Sequence, residues 1–194
     1  MILVGVGCGP DLITVQAAKI IFNAKRVAGS SKALALVEEY IQEDCRVFVI
    51  EGSFRLDEYP DDTVILSTGD PMLVGYEPKD GDVIPGISSL QVAFARLVIP
   101  IETVSVVPAV GKSFHGGSIE SILEEAKRGR NVFVLADPQF NVPGLAKRLK
   151  DRSIKCKIAV CENLGYEDER IAVGTPSKPP KAGSKLFSLV VGNW

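Results

Sequence analysis

The chain has 194 residues, 46 % hydrophobic and 24 % charged, with a net charge of −2 and an isoelectric point near 5.5. That length gives one domain or two small ones with a real core, and the charge balance supplies no basic surface for nucleic-acid phosphates. No apolar run approaches the ~20 residues of a membrane span, and MILVGVGCGP at the start lacks the cationic lead of a signal peptide, so a cytoplasmic protein is expected.

Residues 1–107 alternate between strand-like and helix-like patterns. ILVGVG reads as a strand, and Thr14 can cap a helix through VQAAKIIFNAK, with Val15, Ala18, Ile21 and Phe22 at helical spacing. RVAG is a second short strand. Ser31 opens a helix over KALALVEEYIQED, with Leu34, Val37 and Ile41 on one face. RVFVI, Thr63 to Leu66 and Asp82 to Ile84 follow as strands. Ser88 or Ser89 starts the helix LQVAFARLV, and TVSVV is a sixth strand. Strands alternating with helices imply βαβ units and a largely parallel sheet.

The pattern restarts after Pro108. SIESILEEAKRG is a helix with Ser118 as the expected cap and Gly129 as the stop. NVFVLA, a helix over VPGLAKRLKD, and KIAVCE follow. ERIAVGT and KLFSLVV are strands with only SKPPKAGS between them, which suggests an antiparallel pair. The sequence therefore predicts an α/β protein of two domains: 1–108 with a largely parallel sheet, and 109–194 with a mixed one.

Three glycine-rich segments lie at strand ends: GVGCGP at 5–10, STGDP at 67–71 and VIPGISS at 83–89. In open α/β sheets ligands bind beyond the carboxyl ends of strands, and glycine lets backbone approach where a Cβ would collide. Each segment alone has a plainer reading. GVGCGP suggests a dinucleotide fingerprint, but Pro10 replaces its third glycine and RVAGSS offers no acidic residue to a ribose. STGDP is either an acceptor for an amine or ribose hydroxyl through Asp70, or an Asp-Pro turn initiator. VIPGISS is either a donor-bearing helix start or a simple N-cap. Their succession in one αβ domain favours ligand binding.

Four cysteines without C-x-x-C spacing and a single histidine, His115, make a zinc site unexpected. Cys45, Cys156 and Cys161 border or lie in apolar runs, where a free cysteine acts as a small hydrophobe. His115, in the loop SFHGGS, reads as a solvated residue.

Taken in order, GVGCGP-x-x-x-T, TGDP-x-x-x-G, VIPGISS and ENLGYEDERI at 162–171 resemble the tetrapyrrole methylase family, over nearly the whole chain. With LADPQ at 135–139, the last two are most similar to the branch that methylates cobalt-precorrin-7 at C5. The resemblance implies two α/β domains with S-adenosylmethionine in the cleft between them, released as S-adenosylhomocysteine. It also implies a corrinoid substrate, cobalamin biosynthesis, a homodimer and a separate C15-methylating decarboxylase as functional partner. Cys8 stands where the family usually has proline. Thr68, Gly69 and Asp70 would cradle the cofactor, Asp70 at its polar end with Leu73 nearby. Ser88 and Ser89 would donate to it, and Leu135 and Leu164 would close over the adenine. Lys112 would supply a substrate-facing cation, with Arg55 and Lys79 as further candidates for the substrate's carboxylates. No general base is implied. Relatives acting on another precorrin, uroporphyrinogen III or a diphthine precursor, and a nicotinamide-dependent oxidoreductase, remain the alternatives.

Overall fold

The computed structural model describes residues 1–52, 58–73, 82–109 and 117–194. Two compact units divide the chain, Met1–Ser89 and Leu90–Trp194, where the sequence pattern places the junction at 108/109.

In the first unit, β1 (Ile2–Gly5), β2 (Arg26–Gly29), β3 (Arg46–Val49), β4 (Val64–Ser67) and β5 (Asp82–Ile84) form one sheet in the order β3-β2-β4-β1-β5. Every pairing is parallel. The central strands are apolar on both faces, as a doubly covered parallel sheet requires. Val4, Val6, Val27, Val64, Leu66 and Ile84 share one core cluster with Ile21 of α1 (Val15–Phe22). Thr14 caps α1 as expected, accepting the Ala17 N–H at 3.1 Å.

The helix expected over 32–44 is shorter. It runs as α2 (Ser31–Ala35), capped by Ser30 rather than opened from Ser31, and a 3-10 turn follows at Glu38–Tyr40. Val37 leaves helical geometry at φ −132° and is wholly buried. Glu38 and Glu39 would also place two negative charges at the helix's negative end, an arrangement that the helix dipole disfavours.

The second unit begins with α3 (Ser89–Leu97, its first residue still in unit one). The strands β6 (Val104–Ala109), β7 (Asn131–Ala136), β8 (Lys157–Glu162), β9 (Arg170–Gly174) and β10 (Phe187–Gly192) lie in the order β6-β7-β10-β8-β9. β6 pairs parallel with β7, so the TVSVV strand belongs to this sheet and not to the first. Its alternating burial, exposed at Val106 and buried at Val107, is that of an edge strand. The sheet is mixed, since β10 runs antiparallel to both β7 and β8. β9 and β10 do not pair with each other, contrary to the antiparallel pair expected; each pairs antiparallel with β8. The polar link between them therefore spans a strand, not a hairpin.

α4 (Gly117–Lys127) and α5 (Val142–Asp151) cover one face of this sheet, joining Ile122, Leu123, Leu145 and Leu149 to Val132, Val134, Val160 and Leu189. Ser118, expected as the cap of α4, is the second residue of the helix, and its hydroxyl donates to the Pro108 carbonyl at 3.2 Å. On the opposite face Phe133 meets Phe94 of α3 edge-on, with ring centroids 6.5 Å apart. No helix among the described residues is long and apolar enough to cross a membrane.

Candidate functional site

The three glycine-rich segments follow β1, β4 and β5, which are neighbours in one parallel sheet, so all three emerge at the same edge. There they are stitched together by backbone. The Gly69 N–H donates to the Gly7 carbonyl at 2.7 Å, and the Gly7 N–H to the Gly69 carbonyl at 3.4 Å. The Cys8 N–H donates to the Ile87 carbonyl at 3.0 Å, tying the first segment to the third.

Close approach explains two of the glycines. A Cβ on Gly86 would lie 2.1 Å from the Gly69 carbonyl oxygen, and one on Gly5 would lie 2.6 Å from the Gly86 nitrogen. These residues allow the three loops to approach one another, whereas the sequence reading gave such glycines to ligand approach. Gly69 differs. Its φ of +70° is left-handed, and a Cβ there would meet only Cys8 Cβ and Ser88 Cα, both at 4.0 Å. Cys8, Gly69 and Ser88, expected from three separate segments to face one cofactor, are thus brought together.

Asp70 is already engaged with the backbone. Its Oδ1 accepts the Met72 N–H at 2.7 Å and its Oδ2 accepts the Gly86 N–H at 3.3 Å. The carboxylate closes an Asx-type turn and lashes the second loop to the third. Leu73 rides on that turn, its N–H donating to the Asp70 carbonyl at 3.2 Å. Thr68 is exposed, Ser88 is buried, and Ser89 is the first residue of α3.

In the second unit, β7 and β8 both oppose β10 and therefore run the same way. Leu135, near the end of β7, and Leu164, just past β8, consequently lie at one edge of the sheet. Leu135, Ser188 and Cys161 form a single row across three strands. Burial, with Glu169 and Glu162 nearby, pushes the Cys161 thiol up to about 12. The thiol stays protonated, which makes it a packing residue and not a nucleophile.

Leu164 sits in a turn between two left-handed residues, Asn163 at φ +49° and Gly165 at φ +83°. Two glutamates frame it. Glu162 is 2 % exposed; its Oε1 accepts the Ser184 N–H at 2.6 Å and the Gly183 N–H, and its Oε2 pairs with Arg170. Burial works to raise its pKa, but the two N–H groups and the guanidinium outweigh that and hold it below the usual carboxylate value. Glu169 Oε2 accepts the Gly165 N–H at 2.8 Å, and its Oε1 accepts Arg96 Nε at 2.7 Å. It too is lowered on balance, burial opposing and the Gly165 N–H and Arg96 prevailing. A polar cleft of about 330 Å³ is lined by Glu162, Asn163, Asp168, Arg170, Gly183 and Ser184. Its side chains are paired among themselves, for Asn163 Nδ2 donates to Asp168 at 2.7 Å and the Ser184 hydroxyl to Asn163 Oδ1 at 2.8 Å.

The sequence reading took one residue, Leu164, from the motif ENLGYEDERI. The structure adds Glu162, Glu169 and Arg170 from the same ten residues, and Arg96 from α3. The signal was present: an acidic residue just after a Leu-Gly turn offers an acceptor for a backbone N–H that the turn cannot pair internally, as Glu169 does for Gly165. Lys112, Arg55, Lys79 and His115 lie outside the described residues. Among the described residues no cluster of His, Cys, Asp and Glu could hold a metal ion.

A family model described as tetrapyrrole (corrin/porphyrin) methylases matches residues 1–179. A protein of Methanocaldococcus jannaschii named probable cobalt-precorrin-7 C(5)-methyltransferase is 32 % identical, over 88 % of this chain and 87 % of its own length. The crystal structure of a precorrin-6Y methylase from Archaeoglobus fulgidus superposes with a TM-score of 0.75 at 28 % identity, covering 100 % of this chain and 97 % of that one. A cobalt-precorrin-4 methyltransferase shares the fold, with a TM-score of 0.72 at 19 % identity over 100 % of this chain and 94 % of that one.

Proposed function

Because the chain belongs to the tetrapyrrole methylases, we propose that it transfers a methyl group from S-adenosylmethionine to C5 of cobalt-precorrin-7 in cobalamin biosynthesis. The relative from Methanocaldococcus, alike over 88 % of the chain, supports this substrate. The observation that carries the cofactor assignment is the meeting of Cys8, Gly69 and Ser88, for Cys8 Cβ and Ser88 Cα each lie 4.0 Å from a Cβ built on Gly69.

The cofactor supplies a methyl group already activated on a sulfonium centre. This chain's residues therefore bind and align: the substrate's conjugated ring supplies the electron pair of the new C–C bond, the pair of the broken C–S bond leaves with S-adenosylhomocysteine, and the proton displaced from the methylated carbon passes to solvent. Thr68 and Gly69 offer backbone groups, and Ser88 and Ser89 offer donors at the start of α3. Asp70 keeps lone pairs beyond the two it gives to Met72 and Gly86, and these suit a cationic amine. Leu135 and Leu164 supply apolar surface for the adenine. Holding the sulfonium sulfur, its methyl and the acceptor carbon in line is worth several kcal/mol by proximity alone. Lys112, with Arg55 and Lys79, pairs with the substrate's carboxylates. The chain acts in the cytoplasm as a homodimer, alongside a separate C15-methylating decarboxylase.

Thermal-shift and calorimetric titration test the cofactor first: S-adenosylhomocysteine raises the Tm and NAD(P) does not. Incubation with methyl-labelled cofactor and cobalt-precorrin-7, followed by location of the label, tests the reaction. The Archaeoglobus relative is named for precorrin-6Y, so a metal-free precorrin belongs in the same assay. Label transfer to that substrate alone would move the assignment to a sister reaction. No stabilisation by S-adenosylhomocysteine would remove the cofactor and the function together.

A further inference from the structure

We propose that Glu169 is a positioning residue for cofactor binding: pinned by Arg96 of α3, it holds the turn that presents Leu164. The inference rests on the reading of Leu164 as a cofactor contact.

Leu164 lies between residues at φ +49° and φ +83°, so its direction is set by two left-handed steps that an extended chain would not keep. The Tyr166 N–H donates to the Asn163 carbonyl at 2.9 Å and the Glu169 N–H to the Tyr166 carbonyl at 3.0 Å, which closes the loop but leaves the Gly165 N–H to be satisfied elsewhere. Glu169 Oε2 takes that N–H at 2.8 Å, one residue from Leu164. Arg96 Nε then fixes the carboxylate itself at 2.7 Å, and Arg96 is carried on a helix. The chain of support runs from a rigid element through a guanidinium and a carboxylate to one backbone amide. Glu162 supports the opposite flank, where its acceptors serve Gly183 and Ser184. Both Glu169 oxygens are engaged with protein groups, so its part is to order the turn before the ligand arrives, which lowers the cost of binding.

The test is calorimetric titration of S-adenosylhomocysteine into the full chain. Glu169→Ala is expected to raise Kd about tenfold or more. Glu169→Gln keeps an oxygen for the Gly165 N–H and recovers affinity to within about threefold, and Arg96→Ala falls between the two. Arg96 is half-exposed, so that variant folds even where Glu169→Ala does not. A role in stability alone would lower the Tm of these variants and leave Kd unmoved, which overturns the proposal. Leu164→Ala separates the two layers of the argument. Loss of affinity there with none in the Glu169 and Arg96 variants leaves the cofactor reading standing and sinks the positioning role. Unchanged affinity in Leu164→Ala sinks the Leu164 contact and the proposal with it.

Discussion

The two units build their candidate ligand-facing loops by opposite means. In the first unit, loops meet where side chains are absent: at Gly5 and Gly86 the backbones approach more closely than a Cβ allows, and Asp70 adds one carboxylate tie. In the second unit, the Leu164 turn is held by side chains that have been added, with Glu162 and Glu169 supplying acceptors for the N–H groups of Ser184, Gly183 and Gly165. The same contrast appears in left-handed backbone. Among the described residues, unit one places Gly7, Gly52 and Gly69 there, with Asp11 as an exception, whereas unit two uses Val98, Ser153 and Asn163 beside Gly129 and Gly165. A junction made by subtraction is intolerant of any enlargement. One made by carboxylates tolerates bulk nearby and depends on charge.

The largest effect should come from refilling the subtracted space. Gly86→Ala sets a methyl 2.1 Å from the Gly69 carbonyl oxygen and 2.8 Å from the Gly5 carbonyl carbon, all of it backbone that cannot turn aside. A loss of about 3 kcal/mol is expected by urea denaturation, at the upper end of overpacking costs. Gly129→Ala is the control: its φ is +81° but nothing lies within 4 Å of the new Cβ. It should cost only the left-handed backbone penalty, about 1 kcal/mol. Equal losses would mean that backbone angle, and not contact, sets the need for glycine at the junction.

Next in size is removal of an added group. Glu162→Ala removes the acceptor of the Ser184 and Gly183 N–H groups and the carboxylate partner of Arg170, which keeps its bond to the Lys181 carbonyl, at a cost of about 1–2 kcal/mol. Acid should reproduce part of this without mutation. Glu162 and Glu169 both have folded-state values held below the ordinary carboxylate value, near 4.3 for an unfolded glutamate. Depressed carboxylates contribute stability that is complete above the unfolded value and lost as pH falls through the folded one. Hydrogen exchange should therefore quicken in residues 163–169 as pH falls below the unfolded value and through the lower folded ones, with the backbone bonds joining Gly7, Gly69 and Ile87 unaffected. Simultaneous opening of both regions would erase the proposed contrast.

Much of this was legible in the sequence, for reasons that differ by region. The parallel sheet of unit one showed in its two-faced apolar strands, and the three loops in glycines placed straight after them. That Gly5 and Gly86 face each other was not legible, because strand order decides it and β1 lies between β4 and β5 only in the folded sheet. Asp70 was visible as an acceptor, but its two backbone donors come from 2 and 16 residues away, and the second depends on that same strand order. The early end of α2 was hidden because burial of Val37 overrode a good helical period. In unit two, β6 read as part of the first domain, since a strand's sequence does not say which sheet it joins. Helix ends were the most local feature and among the most readable: Thr14, Gly129 and the proline near the start of α5 each mark a terminus by their own chemistry.

The smallest expected effect concerns those helix ends and turns on one residue. α3, α4 and α5 finish with the same pair of bonds. Ile99 N–H donates to Phe94 and Val98 to Ala95; Arg130 donates to Glu125 and Gly129 to Ala126; Ile154 donates to Leu149 and Ser153 to Lys150. These are Schellman ends, and the residue that must turn left-handed is Val98, Gly129 or Ser153. Glycine suits the position; a β-branched side chain suits it worst. Val98 is also 87 % exposed, so its strain is offset by little burial. Val98→Gly should therefore stabilise the chain by about 0.5–1 kcal/mol, after allowing for the greater freedom glycine gains on unfolding. Ser153→Gly should gain less, because serine lacks the second Cβ branch. A rise of about 2 °C in Tm for Val98→Gly would check the first figure. If the rise appears, unit two carries backbone strain where glycine would relieve it, and its reliance on side-chain contacts extends beyond the Leu164 turn. A neutral or destabilising result would mean that the exposed valine is held by contacts worth as much as its strain, and the contrast between the units would then rest on the carboxylates alone.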